Sequence, residues 1–145
     1  MANIFDTAKY ILEKCGPLST MKLQKLCYYS QAWSLVWDDE ELFPEEFQAW
    51  VNGPVCRELY DIHRGRFKVS VDSIPKDRLS DSLTNNQKDT IDHVLSHYAD
   101  KSAQWLSQLT HLERPWQLAR KGCAPGENCS NIIDKASIAE YYGSL

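Results

Sequence analysis

The sequence predicts a mostly α-helical fold, a compact multi-helix domain over residues 1–145, packed around one central apolar helix at about residues 20–37. Three observations predict it. The length of 145 residues is that of one domain. Hydrophobic residues make up 43% and charged residues 25%, the balance of an ordinary globular protein. Most apolar residues recur at helical spacing.

The first two helices are separated by a clear break. Apolar residues follow a helical stripe from Asn3 to Lys14, and Gly16–Pro17 ends that stripe. Ser19 or Thr20 can then cap a second helix that runs without a breaker to Trp37. This second helix is apolar on nearly all faces, which is typical of a buried central element.

The segment after the central helix is punctuated by Asn52–Gly53–Pro54. Before it, alternation over 47–51 indicates either a short strand or a helical turn. After it, we expect a helix from Pro54 to His63, because proline is favoured at the first helical position. A second alternating stretch at 67–71 indicates a brief strand within a long loop.

The remaining elements are predicted to be helical. Thr84 has the capping-box spacing to Gln87 and opens a helix that carries Tyr98. Further helices are expected over 102–110, from Pro115 onward, and over a last short segment capped by Ser137.

The charge balance argues against some classes of partner. The chain has 16 Lys+Arg and 20 Asp+Glu, a net charge of −4, so it lacks the overall basic field of duplex-binding proteins and nucleic acid is not the expected partner. No apolar run reaches a membrane span, and the first residues do not form a leader, so we expect a cytoplasmic protein without a membrane partner. The five cysteines, an odd number, are expected to be reduced thiols.

No catalytic or metal-binding motif is evident. His93 and His97 have a spacing that can bind zinc, but Val94 stands where a zinc protease needs glutamate. Cys123 and Cys129 do not match a zinc-knuckle spacing. We therefore predict no catalytic residue, no metal and no cofactor, and keep a small zinc- or thiol-dependent enzyme as an alternative.

One basic cluster stands out in this acidic chain. Arg57, His63, Arg64, Arg66 and Lys68 are interleaved with aromatic residues. Such a cluster is typical of a surface that meets an acidic protein or a nucleic acid, or else of a solvated loop.

The tryptophans divide into two groups. Trp33, Trp50 and Trp116 lie in apolar periodic stretches and are expected in the core, whereas Trp37 beside an acidic turn is expected to be partly exposed.

Four blocks of sequence, in order, resemble the Panacea domain, the SocA-like antitoxin family that includes phage-associated GepA-type proteins. The blocks are MKLQKLCYYSQAW at 21–33, FQAWVNGPV at 47–55 with ELY at 58–60, LSQLTH at 106–111 with Glu113 and Pro115–Trp116, and IAEYY at 138–142. The sequence departs from the family at Asp38–Asp39, where members often have a glycine turn.

The resemblance implies a non-catalytic antitoxin of a bacterial or phage toxin–antitoxin system, which neutralises a cognate protein toxin by direct binding. One member of the family acts as a proteolytic adaptor, so delivery of the toxin to a bacterial protease is the alternative that the resemblance implies.

Two sets of residues follow from the motifs and the charge pattern. The residues predicted to bind the partner are Trp37, Asp38, Asp39, Arg57, Tyr60, Arg64, Arg66, Thr110 and His111. The family-motif residues predicted to maintain the fold are Leu23, Gln24, Lys25, Leu26, Tyr28, Tyr29, Trp50, Gly53, Pro54, Val55, Pro115 and Trp116.

Overall fold

Seven helices and two small sheets form the fold of the computed structural model, which describes all residues 1–145. The helices are α1 (Ile4–Cys15), α2 (Thr20–Trp37), α3 (Arg57–His63), α4 (Asn85–Tyr98), α5 (Ala103–His111), α6 (Arg114–Ala119) and α7 (Lys135–Gly143). The strands are β1 (Leu18–Ser19), β2 (Phe47–Trp50), β3 (Gly53–Cys56) and β4 (Lys68–Val69). The prediction of a mostly α fold with short β pieces near 47–51 and 67–71 is confirmed.

Helix α2 is the central element, as predicted. Ser19 caps it, and the Ser19 hydroxyl accepts a hydrogen bond from the Lys22 backbone N–H at 3.2 Å. Helices α1, α4, α5 and α7 all pack against α2. The apolar residues of α2 between Leu23 and Ala32 are buried in one continuous core, because neighbouring elements surround this part of the helix.

Two buried glutamines, seven residues apart on α2, pair with backbone groups of the following segment. Gln31 accepts from the Leu42 N–H at 2.6 Å and donates to the Phe43 carbonyl at 2.7 Å. Gln24 makes the same paired contact with the N–H and carbonyl of Cys56, at 2.9 and 3.2 Å. Each side-chain amide thus takes the place of a neighbouring peptide group and satisfies buried backbone atoms.

Strands β2 and β3 form an antiparallel hairpin in which Phe47 pairs with Cys56 and Trp50 pairs with Gly53. The predicted helix from Pro54 is therefore wrong over 54–56, and α3 begins only at Arg57. The pairing with β2 and the contact with Gln24 fix residues 53–56 as a strand, and neither is visible in the local sequence. Along the other edge of β2, the Ala49 N–H donates to the Asn131 carbonyl at 2.9 Å.

The C-terminal helix is joined to the core through a buried carboxylate. Glu113 accepts hydrogen bonds from the phenols of Tyr29 at 2.6 Å and Tyr142 at 2.7 Å. Burial raises the pKa of Glu113, although both phenols oppose the shift. The last helix is capped by Asp134, not by Ser137 as predicted, because the Asp134 carboxylate accepts from the Ala136 N–H.

Several smaller predictions were wrong. Cys123 and Cys129 form a disulfide, so only Cys15, Cys27 and Cys56 are free thiols. Trp50 and Trp116, which were expected in the core, are only half-buried, and so is Trp33 at the edge of the core.

None of the helices is both long enough and apolar enough to cross a membrane.

Candidate functional site

Three segments that are distant in the sequence meet around Gly53. Lys25 is fully buried beneath the hairpin, and its Nζ donates to the Pro54 carbonyl at 3.1 Å. Gly53 has a φ of +114°, and a β-carbon there would lie 2.6 Å from Lys25 Cε and 2.7 Å from Thr110 Oγ1. The close packing of α2, the hairpin and α5 therefore requires glycine at this position.

A second contact ties the hairpin to α3. Because Gln24 uses its oxygen for the Cys56 N–H, its Nε2 faces His63 Nε2 at 2.9 Å as a donor. His63 Nε2 must then accept, so the imidazole is neutral with its proton on Nδ1. Burial also lowers the pKa of His63, which agrees with the neutral form. His63, predicted as part of the basic cluster, is thus a buried and uncharged residue.

The outer side of the hairpin is held by α5, α6 and the residue that follows α6. The Ser107 hydroxyl donates to the Asn52 carbonyl at 2.5 Å, and the Trp116 indole N–H donates to the Trp50 carbonyl at 2.8 Å. Arg120 is buried and donates to the Ala49 carbonyl at 2.8 Å. The hairpin turn is therefore a rigid platform.

A cleft opens beside this platform, between the hairpin turn, the start of α2 and the α3–β4 loop. We call it the hairpin cleft; its volume is about 230 Å³. The residues that define it are Met21, Gln24, Trp50, Val55, Tyr60, His63, Arg64, Arg66 and Asn128. The rings of Trp50 and Tyr60 pack edge to face at 4.8 Å and form an aromatic wall. The other large depressions have fewer hydrophobic lining residues.

The charge around the hairpin cleft is entirely basic. No carboxylate lines the cleft, and the exposed Arg64 and Arg66 side chains form no ion pair. Arg57 differs, because it pairs with Asp61 at 3.0 Å. The two unpaired guanidinium groups leave the rim of the cleft positive, although the whole chain has a net charge of −4.

Burial shifts two basic groups near the cleft toward their uncharged forms. Burial lowers the pKa of Lys25 to about 7, and no carboxylate compensates for it. Burial also lowers the pKa of His111, whose Nε2 is buried without a hydrogen-bond partner. Burial thus favours the neutral forms of Lys25 and His111, whereas the charged residues that line the cleft are Arg64 and Arg66 on its rim.

The two fully buried free thiols, Cys27 and Cys56, are held in the protonated form. Burial raises the pKa of the Cys56 thiol to about 12, and it raises the pKa of the Cys27 thiol as well. A protonated thiol is a poor nucleophile. No group of three or more His, Cys, Asp or Glu side chains is placed to hold a metal ion.

A family model for the SocA-like antitoxin, Panacea domain, matches residues 23–117 of the chain. The chain belongs to this family. The match includes the hairpin, α3 and the two rim arginines of the hairpin cleft. Searches of curated proteins and of solved structures gave no match.

The residues predicted to bind a partner lie at three places in this Panacea domain. Arg57, Tyr60, Arg64 and Arg66 lie on α3 and the loop after it, with the last three lining the hairpin cleft. His111 lines a shallower depression beside the cleft, which shares Met21 and Asn52 with it. Thr110, also predicted to bind a partner, is 1% exposed and lies against Gly53, so its side chain is not on the surface.

The third place is the far end of α2, about 24 Å from Met21 along the helix axis at 1.5 Å per residue. Trp37 is 47% exposed there, which confirms the expectation of partial exposure, and it stacks on Trp33. Asp38 accepts from the Thr90 hydroxyl at 2.6 Å. Asp39 has a φ of +52°, in the left-handed region that glycine adopts freely and that aspartate and asparagine adopt more often than other residues.

Six of the residues that define the hairpin cleft were not predicted as binding residues: Met21, Gln24, Trp50, Val55, His63 and Asn128. Gln24, Trp50 and Val55 were assigned to the framework, Trp50 because it lies in an apolar periodic stretch. Met21 was assigned to neither set. Asn128 comes from the loop closed by the disulfide, and no local pattern marks it. The family-motif residues of α2 and the hairpin lie mostly beneath the cleft, with Leu23, Gln24, Lys25, Leu26 and Val55 all buried.

Proposed function

We propose that this Panacea domain is an antitoxin that neutralises a cognate protein toxin by binding it directly, without chemical turnover. The observation that carries the proposal is the match to the SocA-like antitoxin family over residues 23–117. The cytoplasm, where the toxin would be made, is the proposed location.

The chemistry of the chain supports a binding role. The free cysteines near the hairpin are buried and protonated, and His63 and Lys25 are engaged in holding the hairpin. The exposed groups of the cleft are aromatic rings and guanidinium groups, which are the side chains that most often dominate protein–protein contacts. A rigid surface of this kind supports neutralisation by occupancy.

Co-expression tests the proposal. The gene next to the one for this chain is induced in a bacterial host, with and without this protein, and growth and the amount of the neighbouring protein are measured. We expect growth arrest without this protein, recovery with it, and co-purification of the two proteins at a constant toxin level.

Two other results would change the conclusion. In one of them, the toxin level falls on co-expression, and this loss disappears in a host that lacks its ATP-dependent proteases. The conclusion would then be that the protein delivers the toxin to a protease as an adaptor and does not act by occlusion. Absence of both recovery and association, with every gene neighbour tested, would overturn the antitoxin proposal.

A further inference from the structure

We propose that the hairpin cleft binds a segment of the partner protein that combines acidic residues with a large apolar side chain. That the partner is the toxin rests on the proposed function, but the chemistry of the segment is argued from the cleft alone.

The interior of the cleft suits a large apolar side chain. Its walls include Met21, Trp50, Val55 and Tyr60, and its volume of about 230 Å³ is several times the ~30 Å³ share of one water molecule in the liquid. A side chain that fills this space removes apolar surface from water on both partners, which favours association. The aromatic wall also offers edge and face contacts to another ring.

The rim of the cleft suits carboxylates. Arg64 and Arg66 are exposed, have no acidic partner in the chain and stand on either side of Gly65. A guanidinium group binds a carboxylate through two parallel hydrogen bonds, so two such groups provide a recognition site for two acidic side chains. Arg57 differs from Arg64 and Arg66, because its Nε–H already donates to the Asp61 carboxylate.

A nucleic acid fits this surface less well than an acidic peptide. Single strands are held by a continuous positive track along their phosphates. The depression into which a strand would continue is lined by Asn52, Gln104, Ser107, Gln108 and the largely uncharged His111, with no arginine or lysine. These groups are suited to hydrogen bonds with a peptide backbone, whereas repeated phosphates would find no counter-charge there.

Selection from a phage-displayed library of random hexapeptides tests the proposal with the intact protein as bait. Wild-type protein should enrich sequences that combine Asp or Glu with Phe, Trp or Leu. The double variant Arg64→Glu/Arg66→Glu should lose this enrichment, and a labelled wild-type-selected peptide should bind it about tenfold more weakly or worse.

The matched control is Lys76→Glu/Lys121→Glu, which makes the same change in net charge at exposed positions outside the cleft. This control should select the same peptides as wild type. Thermal unfolding midpoints of both double variants should equal that of wild type, because all four positions are exposed. A labelled oligothymidylate should bind wild type no better than it binds the control.

Several results would overturn the proposal: enrichment of basic or purely polar peptides, no enrichment by the wild type, the same enrichment by the charge-reversed variant, or tight oligothymidylate binding that depends on Arg64 and Arg66.

The rescue assay separates this proposal from the antitoxin function. If wild type rescues growth and the charge-reversed variant rescues it equally, the cleft proposal fails while the antitoxin function stands. If wild type does not rescue, the antitoxin function fails, and the peptide selection still decides the chemistry of the cleft.

Discussion

Replacement of Lys25 by methionine should remove a defined pH dependence from the stability of the protein. In the folded state burial lowers the pKa of Lys25 to about 7, whereas a lysine in the unfolded chain has its ordinary value of 10.5. Between these two values the unfolded chain binds more protons than the folded chain. The free energy of unfolding must therefore rise with pH across this window, and the penalty for burying Lys25 is largest below about pH 7.

The magnitude follows from the two pKa values. Proton linkage predicts that raising the pH from about 7.5 to about 9.5 stabilises wild type relative to Lys25→Met by roughly 2 to 3 kcal/mol. The difference between the two proteins is the useful quantity, because the other groups that titrate in this window are common to both. The charge of Lys25 also lowers the pKa of His63 and His111, but both values lie below this window. The lost hydrogen bond to the Pro54 carbonyl shifts the Met variant by an amount that does not depend on pH.

Urea unfolding followed by circular dichroism at several pH values within this window measures the difference. Lys22→Met is the matched control, because Lys22 lies on the same helix and remains partly exposed. The control should keep the pH dependence of wild type. A free-energy difference between wild type and Lys25→Met that stays flat from about pH 7.5 to about pH 9.5 would show that Lys25 is not held in a neutral buried state.

Two further predictions concern the hairpin and the disulfide loop. Gly53→Ala should destabilise the fold by about 3 kcal/mol, since it combines a strained positive φ with overpacking of buried side chains, and chemical denaturation measures the loss. Cys123→Ser/Cys129→Ser should lower the free energy of unfolding by about 2 kcal/mol, the chain-entropy value for a loop this short, while the helical circular dichroism signal is retained.

Each of these two predictions has a control. Gly122→Ala shares the positive φ but meets no atom within 4 Å, so it should cost about 1 kcal/mol from backbone strain alone. Equal losses for Gly53→Ala and Gly122→Ala would contradict the close packing against Lys25 and Thr110. For the disulfide, mass spectrometry without reductant should find the Cys123–Cys129 bond in wild type, and free thiols at both positions would refute it.

Much of the helical framework could be predicted because helices are specified locally. The apolar surface of α2, the Ser19 cap and the Thr84 capping box are all encoded within a few residues, and all three occur in the structure. Residues 53–56 could not be predicted in this way. Asn-Gly-Pro is equally suited to a helix start and to a hairpin, and the choice is made by β2 and by Gln24, which lies about 30 residues away in the sequence.

The candidate site was predicted only in part for a related reason. Arg64 and Arg66 were evident as charges in an acidic chain, and they line the cleft. His63 lies directly before them in the sequence but is buried, because the last turn of α3 directs it toward Gln24. The sequence shows which residues can carry a charge in water. Whether such a residue is buried depends on the elements that pack against it in the fold.

The two edges of the β2–β3 hairpin have a consequence for how such a domain diversifies. At the β2 edge, Asn131 and Ile132 form backbone contacts with the strand. At the β3 edge, the side chains of Lys25 and Gln24 donate hydrogen bonds to backbone carbonyls of the strand. A second polypeptide therefore cannot add a strand to this hairpin, because neither edge has a row of unpaired backbone N–H and C=O groups. If a partner segment binds in the hairpin cleft as proposed, its selection depends on the side chains of the cleft and not on added strand pairing, and the exposed rim arginines can be substituted while the buried framework stays the same.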